Sequence, residues 1–123
     1  MNKKSVLIID DAMFMRRLLK DMIERDGYCE VVGEGANGYE AINKAKELQP
    51  DIITMDIIMP ELDGIDAVKE ILVVSPMSKI IMISSVGNHK VVNDAIDAGA
   101  FDYLVKPLNK EEISRVIRKA LSV

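Results

Sequence analysis

The chain alternates between short, almost continuously apolar runs and longer segments in which apolar residues recur at helical spacing. The runs cover residues 5–9, 30–35, 52–56, 79–83 and 102–105, and charged or turn-forming residues bound them. Runs this short and this apolar are typical of strands that are buried on both faces, as in a parallel sheet. The pattern therefore predicts five strands.

A helix is predicted after each strand. The first covers residues 13–26, has apolar residues at Phe14, Leu18, Leu19, Met22 and Ile23, and is ended by Gly27. The next three are expected at residues 39–48, from about 65 to 75 and from about 90 to 98. Asn109, with Glu112 three residues later, forms a capping-box pattern at the start of the fifth helix. Its buried face is predicted to contain Ile113, Val116, Ile117 and Ala120.

Strand and helix alternate five times, and the connections between them are short. This order predicts an α/β fold in which a parallel sheet has helices on both faces and right-handed crossover connections. The 123 residues are a common length for one domain. We therefore expect a single domain over residues 1–123.

Composition narrows the class of protein. The net charge of -4 argues against a nucleic-acid-binding face, which needs clustered Lys and Arg. The sequence has no apolar run long enough to span a membrane and no apolar core of a signal peptide near its start. Cys29 is the single cysteine, so no internal disulfide can form. We expect a soluble, cytoplasmic, monomeric protein in which Cys29 is a small apolar residue at a strand start.

Polar side chains follow the ends of four predicted strands. Asp10 and Asp11 come after the first strand, and Asp56 ends the third. Ser84 and Lys106 follow the fourth and fifth strands. Because the carboxyl ends of parallel strands lie at one edge of the sheet, where open α/β folds bind ligands, these side chains are expected to converge. Each also has an ordinary structural explanation, such as a helix N-cap for Asp11, a turn for Asp56 or Ser84, or a solvated strand end for Lys106.

Three carboxylates at one edge repel each other, and a hard divalent cation relieves that repulsion. Mg²⁺ prefers carboxylate, carbonyl and water oxygens, and the softer metal ligands His89 and Cys29 each stand alone in the sequence. A carboxylate beside Mg²⁺ can attack a phosphoryl group and form an acyl phosphate. The Lys106 ammonium and the Ser84 hydroxyl are suited to stabilise the phosphoryl oxygens. We interpret Asp56 as the reactive carboxylate.

Together these features resemble the receiver domains of two-component response regulators, over essentially the whole chain. The residues that carry the resemblance are Asp10-Asp11, Asp56 with Met59-Pro60 and Asp63-Gly64, Ser84, Gly99-Ala100, Tyr103 and Lys106-Pro107. The resemblance implies one doubly wound (βα)5 domain of the flavodoxin-like type with strand order 2-1-3-4-5. Residues 10–16 are most similar to the stand-alone chemotaxis regulators of that family.

The resemblance also implies roles for the acidic residues. Asp56 would be the phosphoacceptor, which receives its phosphoryl group from a histidine kinase. Asp10, Asp11 and Asp56 would bind Mg²⁺, and the backbone carbonyl of Ile58 would be a further ligand.

The remaining site residues are expected to respond to the phosphoryl group. Lys106 would pair with it, and the Lys106–Pro107 peptide bond is expected to be cis. The Ser84 hydroxyl would move toward the phosphate, and Tyr103 would change rotamer in concert with it. The alternative for Tyr103 is a purely structural role as a half-buried aromatic residue of a strand.

The partners implied by the resemblance are a histidine kinase and an output target. A chemotaxis regulator would bind the flagellar motor switch protein, while a phosphorelay shuttle or an isolated receiver of a larger regulator would bind other partners. Ile58 and Val86 stand two residues past Asp56 and Ser84. In receivers, the residues at these two positions flank the path of the attacking water. Both are apolar and cannot orient a water molecule, so slow self-dephosphorylation and a separate phosphatase are expected.

Two other functions fit parts of the pattern. A phosphohydrolase that works through an aspartyl phosphate usually has a second acid two residues after the nucleophile, where this chain has Ile58. A flavodoxin-like nucleotide-binding module needs a glycine-rich phosphate loop after the first strand, where this chain has Asp10-Asp11. We therefore expect a signalling switch that catalyses its own phosphorylation and dephosphorylation, and not an enzyme acting on a separate substrate.

Overall fold

In a computed structural model, which describes residues 3–122, five strands and five helices alternate along the chain. The strands are β1 (Lys4–Ile9), β2 (Cys29–Gly35), β3 (Ile52–Met55), β4 (Lys79–Ser84) and β5 (Asp102–Val105). The helices are α1 (Met13–Glu24), α2 (Gly38–Leu48), α3 (Gly64–Val74), α4 (His89–Ala98) and α5 (Lys110–Leu121). All ten predicted elements are confirmed, with ends that differ by at most two residues.

The strands form a parallel sheet in the order β2-β1-β3-β4-β5. The chain leaves β1 toward β2 and then returns to the opposite side of β1 to form β3. The boundary between β1 and β3 is therefore the topological switch point, where doubly wound folds of this order bind their ligands. The expected fold class and strand order are confirmed.

Helices cover both faces of the sheet, so its central strands are buried. β3 is buried along its whole length, which agrees with its continuous apolar sequence. On one face of the sheet, α2, α3 and α4 pack against the strands and form one apolar layer. On the opposite face, α1 and α5 form the other. The face predicted for α5 is confirmed, since Ile113, Val116, Ile117 and Ala120 are all buried.

Only part of the apolar set of α1 is buried. Leu19 and Ile23 are buried, but Phe14 is 70% exposed and Leu18 is 40% exposed. A helix on one face of a sheet buries a single stripe, and Met15 is the residue that continues this one toward the start of α1. Phe14 and Leu18 lie beside that stripe and remain accessible.

Four of the helices begin with a side-chain cap. Asn37, Asp63, Asn88 and Asn109 each accept a hydrogen bond from the backbone N–H three residues later. In α1 the capping position is Ala12, which makes no side-chain bond. The alternative explanation of Asp11 as the N-cap of α1 is therefore wrong.

The pairing of the edge strand β2 is irregular. Val6 pairs with Val31 but Leu7 pairs with Gly33, so Val32 is an extra residue in β2. This shift is a β-bulge, which bends the strand and re-aims its side chains.

Cys29 is buried at the first residue of β2, as expected for a small apolar residue at a strand start. Within residues 3–122, no helix is long and apolar enough to cross a membrane.

Candidate functional site

The polar residues that were expected to converge lie at the carboxyl edge of the sheet. Asp10 directly follows β1, Asp56 follows β3, Ser84 ends β4 and Lys106 follows β5. One carboxylate oxygen from each of Asp10, Asp11 and Asp56 lies within 4.8 Å of the others. Asp10 and Asp56 are buried, whereas Asp11 is exposed. The acidic cluster is thus open to solvent on the side of Asp11.

Lys106 contacts two of these three carboxylates. Its Nζ donates hydrogen bonds to Asp56 Oδ2 at 3.0 Å and to Asp10 Oδ2 at 3.3 Å. Burial is the largest influence on the pKa of Lys106 and lowers it, but the hydrogen bonds and charges of Asp56 and Asp10 together raise that pKa above its ordinary value. The ammonium is therefore charged at neutral pH, and one positive charge faces three carboxylates.

Backbone contacts hold Asp56 in place. Its N–H donates to the carbonyl of Ile9 at 3.1 Å, and its Oδ1 accepts from the N–H of Ile58 at 3.1 Å. The first residue of α3, Gly64, packs so closely that a Cβ there would lie 2.3 Å from the Asp56 carbonyl oxygen. Gly64 therefore has to lack a side chain for α3 to begin beside Asp56.

Asp10 is fixed by groups from several elements. Its N–H donates to the backbone carbonyl of Gly35, at the end of β2, at 3.0 Å, and its Oδ1 accepts from the N–H of Ala12 at 2.9 Å. Its backbone carbonyl accepts from Arg16 Nη1 at 2.6 Å, and Arg16 Nε donates to Glu34 Oε1 at 2.9 Å. No sequence pattern shows that Arg16, on a helix, and Glu34, on a distant strand, meet.

The two predicted switch residues share one backbone partner. Ser84 is fully buried, and its Oγ accepts a hydrogen bond from the N–H of Val86 at 3.3 Å. The hydroxyl of Tyr103 donates to the backbone carbonyl of the same Val86. Tyr103 is half-buried, and burial is the main cause that raises the pKa of its phenol. The loop after β4 is thus bonded to both side chains.

The residues expected to flank the attacking water differ in exposure. Ile58 is 59% exposed, whereas Val86 is half-buried. The Lys106–Pro107 peptide bond is cis, as the resemblance implied.

The chemistry of the donor set fits a hard divalent cation. In the part of the chain that the structure describes, Asp10, Asp11 and Asp56 are the one group of three or more acidic, His or Cys residues that could hold a metal ion. Three carboxylates with an open, solvent-facing side match the preference of Mg²⁺ for oxygen ligands and retained water.

Comparison with known proteins identifies the family. The family model described as the response regulator receiver domain matches residues 6–118. The chain belongs to this family. The receiver domain is 53% identical over 116 residues to the chemotaxis protein CheY of Thermotoga maritima, which covers 94% of this chain and 96% of that protein. It is 48% identical over 117 residues to the chemotaxis protein CheY of Bacillus subtilis, which covers 95% of this chain and 97% of that protein.

A solved structure agrees with this assignment. A chain of the CheX-CheY-BeF3-Mg²⁺ complex from Borrelia burgdorferi matches this receiver domain with a TM-score of 0.91 and 32% identity. The match covers 96% of this chain and 89% of that chain. The receiver domain is a phosphorylation-dependent switch of two-component signalling. Receivers bind Mg²⁺ at an acidic cluster of this kind and interact with histidine kinases and output targets.

Proposed function

We propose that this receiver is a chemotaxis response regulator in which Asp56 accepts a phosphoryl group from a histidine kinase. The observation that carries the proposal is the carboxyl-edge cluster, in which Lys106 Nζ lies 3.0 Å from Asp56 within a group of three carboxylates. Similarity to two CheY proteins over nearly their full length supports the chemotaxis assignment. We further propose that residues 1–123 are one domain, that the protein is cytoplasmic, and that its output target is the flagellar motor switch protein.

The acidic residues would hold the metal. Asp10, Asp11 and Asp56 would bind Mg²⁺, with the backbone carbonyl of Ile58 as a further ligand. Bound there, Mg²⁺ would supply positive charge that offsets the repulsion between the carboxylates and an incoming phosphoryl group.

The chain's own residues would carry the phosphoryl transfer. A carboxylate oxygen of Asp56 attacks the phosphorus of a phosphohistidine, the P–N bond breaks, and a P–O bond to Asp56 forms. The imidazole leaves and takes a proton from water, so the product is an acyl phosphate on Asp56. Lys106 is already charged and within hydrogen-bonding distance of Asp56, so it is placed to stabilise the phosphoryl oxygens.

Ser84 and Tyr103 are proposed to convert this chemistry into a conformational change. When the Ser84 hydroxyl turns toward the phosphate, its bond to the Val86 N–H is lost, and the loop after β4 keeps its bond to Tyr103 but can rearrange together with that side chain. Moving a two-state equilibrium from 1:99 to 99:1 takes roughly 5.5 kcal/mol. Charge-assisted hydrogen bonds contribute roughly 1.5–3 kcal/mol each, so a few bonds made to the phosphate suffice.

The decisive experiment is to incubate the protein with Mg²⁺ and acetyl phosphate and to measure its intact mass. We expect a single phosphate adduct that requires Mg²⁺ and is lost in Asp56→Asn. The matched control is Asp66→Asn, which removes an exposed carboxylate at the start of α3 and should still form the adduct. An unmodified wild-type protein would contradict the proposal, and continuous release of phosphate over many turnovers would indicate a phosphohydrolase.

The output target is tested separately. We expect the affinity for a flagellar motor switch protein to rise when Mg²⁺ and acetyl phosphate are added, and not to rise in Asp56→Asn. If a histidine phosphotransfer domain instead removes the phosphoryl group and becomes phosphorylated, the protein is a phosphorelay shuttle.

A separate phosphatase is proposed because apolar side chains flank the site. Ile58 and Val86 cannot orient a water molecule, so the acyl phosphate should be long-lived. Ile58→Asn should shorten its lifetime several-fold, as followed by the decay of the adduct after donor removal. Val73→Asn is the control, since Val73 is exposed at the end of α3. If the acyl phosphate of Ile58→Asn lives as long as that of wild type, the proposed role of the apolar side chains is contradicted.

A further inference from the structure

We propose that Arg16 is a positioning residue for the metal-binding acids and that Glu34 fixes the direction of Arg16. The inference rests on the proposed function, because it concerns the Mg²⁺ requirement of the same site. Arg16 does not belong to the carboxyl-edge cluster, but its guanidinium bonds to the backbone inside it.

The guanidinium of Arg16 joins three parts of the fold. Its Nη1 donates to the carbonyl of Asp10 at 2.6 Å, directly after β1, and its Nε donates to Glu34 Oε1 at 2.9 Å, on β2. The Arg16 side chain is 15% exposed and is therefore held among its neighbours. Because a guanidinium presents its donors in one rigid plane, fixing one nitrogen also orients the other.

The bond to Asp10 controls the direction of Asp11. The Asp10 carbonyl belongs to the planar peptide unit that leads into Asp11, so its orientation fixes the backbone from which the Asp11 side chain projects. Asp10 itself has further partners, since its carboxylate accepts bonds from Ala12 and Lys106. Within residues 3–122, by contrast, no hydrogen bond from another group reaches the exposed carboxylate of Asp11. The position of Asp11 therefore depends on its backbone.

Glu34 acts on this arrangement through Arg16. Its side chain is 40% exposed, and an ion pair with that much exposure adds little to stability. Its backbone is tied down as well, because Lys44 Nζ on α2 donates to the Glu34 carbonyl. Glu34 thus supplies a fixed anchor that selects one orientation of the guanidinium.

Charge alone predicts the opposite effect from positioning. Arg16 carries a positive charge near the acidic cluster, and a like charge disfavours the binding of a cation. If Arg16 acted only through its charge, its removal would strengthen Mg²⁺ binding. If Arg16 positions Asp11, its removal weakens Mg²⁺ binding.

The test is calorimetric titration of Mg²⁺ into the full chain and its variants. We expect Arg16→Met to raise the Mg²⁺ dissociation constant about tenfold, which is at the low end for residues that orient metal ligands. Arg16→Lys keeps the charge but cannot reproduce both bonds, so it should show part of the loss. The matched control is Arg17→Met, because Arg17 is the exposed neighbour on the same turn of α1.

Two further readouts separate positioning from a structural role. In Arg16→Met, the Mg²⁺ concentration that gives half-maximal formation of the acetyl phosphate adduct should rise, while the rate at saturating Mg²⁺ should recover. Glu34→Met, which removes the acceptor of the Arg16 Nε bond, should also weaken Mg²⁺ binding, but it should add little in the Arg16→Met background, since both residues act on the same carbonyl. Thermal melting without Mg²⁺ shows whether each variant is folded.

The outcomes distinguish this inference from the proposed function. A folded Arg16→Met that binds Mg²⁺ as well as wild type, or more tightly, overturns the inference and leaves the proposed function intact. If Arg16→Met does not fold, Arg16→Lys decides, and an unchanged dissociation constant overturns the inference. A wild-type protein that does not bind Mg²⁺ overturns both.

Discussion

Both edges of the sheet carry hydrogen-bonded polar groups. The carboxyl edge gathers three carboxylates, whereas the amino edge combines the Asp51 carboxylate with hydroxyl and backbone groups. There, the N–H and hydroxyl of Ser5 donate to Asp51 Oδ2 at 2.8 and 3.2 Å, and the Asp51 N–H donates to Ser5 Oγ at 3.0 Å. The hydroxyls of Ser75 and Ser78 lie 2.6 Å apart, and Ser78 donates to the Pro50 carbonyl at 2.5 Å. These groups hold neighbouring loops together.

The carboxyl edge is unbalanced by comparison. Asp10, Asp11 and Asp56 face the single ammonium of Lys106, so the cluster keeps an excess of negative charge. Polarity alone does not separate a structural edge from a functional one. The difference is that the carboxyl edge has bonding capacity left for a cation and a phosphoryl group.

The largest expected effect comes from removing a charge at the carboxyl edge. Asp11→Asn should weaken Mg²⁺ binding by about tenfold or more, because a charge a few ångströms from a cation is worth about 4 kcal/mol near a protein surface. The same change should leave the metal-free protein as stable or slightly more stable, by less than about 1 kcal/mol, because it removes repulsion at an exposed position. Calorimetric titration and urea unfolding measure the two quantities. A clear loss of stability in the metal-free protein would contradict the claim that the carboxyl edge carries an excess of negative charge.

A change at the amino edge should have the reverse pattern. Asp51→Ala should lower the free energy of unfolding by roughly 1.5–3 kcal/mol, since it removes the charged acceptor of the Ser5 bonds. Mg²⁺ affinity should not change. Urea unfolding and calorimetry are the measurements, with Asp97→Ala on the exposed side of α4 as the control. Weaker Mg²⁺ binding in Asp51→Ala would show that the two edges are coupled.

Thr54 lies on β3, between the two edges. Its hydroxyl is buried and has no hydrogen-bond partner within the described residues. Thr54→Val keeps the shape and removes the unpaired oxygen, so we expect the free energy of unfolding to rise by about 1 kcal/mol. Urea unfolding tests this, and a loss of stability would mean that the hydroxyl is hydrogen-bonded in solution.

The smallest effect concerns the reactivity of Cys29 at the amino edge. Burial raises the pKa of the thiol, and the charges of Asp51 and Asp26 raise it further. The thiolate is therefore scarce at neutral pH and shielded from solvent. Labelling with a disulfide reagent should be much slower in the native protein than in denaturant. Equal rates would show that Cys29 is accessible to the reagent in the native protein.

The sequence could predict much of the site because its residues stand at strand ends. Asp10, Asp56 and Lys106 each follow a continuous apolar run, and parallel strands bring such ends to one edge. The order of the strands could not be predicted in this way, because the residues alone did not show which strands are neighbours. That order came from the family resemblance.

Features that depend on distant packing could not be predicted. Helical spacing placed Phe14 and Leu18 among the apolar positions of α1, but the stripe that contacts the sheet follows Leu19 and Ile23. The bond from Arg16 to Glu34 and the Ser75–Ser78–Pro50 network depend on how separate elements meet in three dimensions. Nothing in the local sequence of these residues indicates their partners.

The bulge in β2 changes the parity of side-chain directions along that strand. Cys29 and Val31, at odd positions, face the layer of α1 and α5. Beyond the extra residue Val32, the odd position 33 faces the opposite layer, where a Cβ would meet Leu48 and Leu7. Glu34, at an even position, is thereby returned to the side of Arg16. A strand of the same sequence paired without the bulge would turn Glu34 toward α2. One extra residue in an edge strand therefore determines whether that strand can reach the acids at the carboxyl edge.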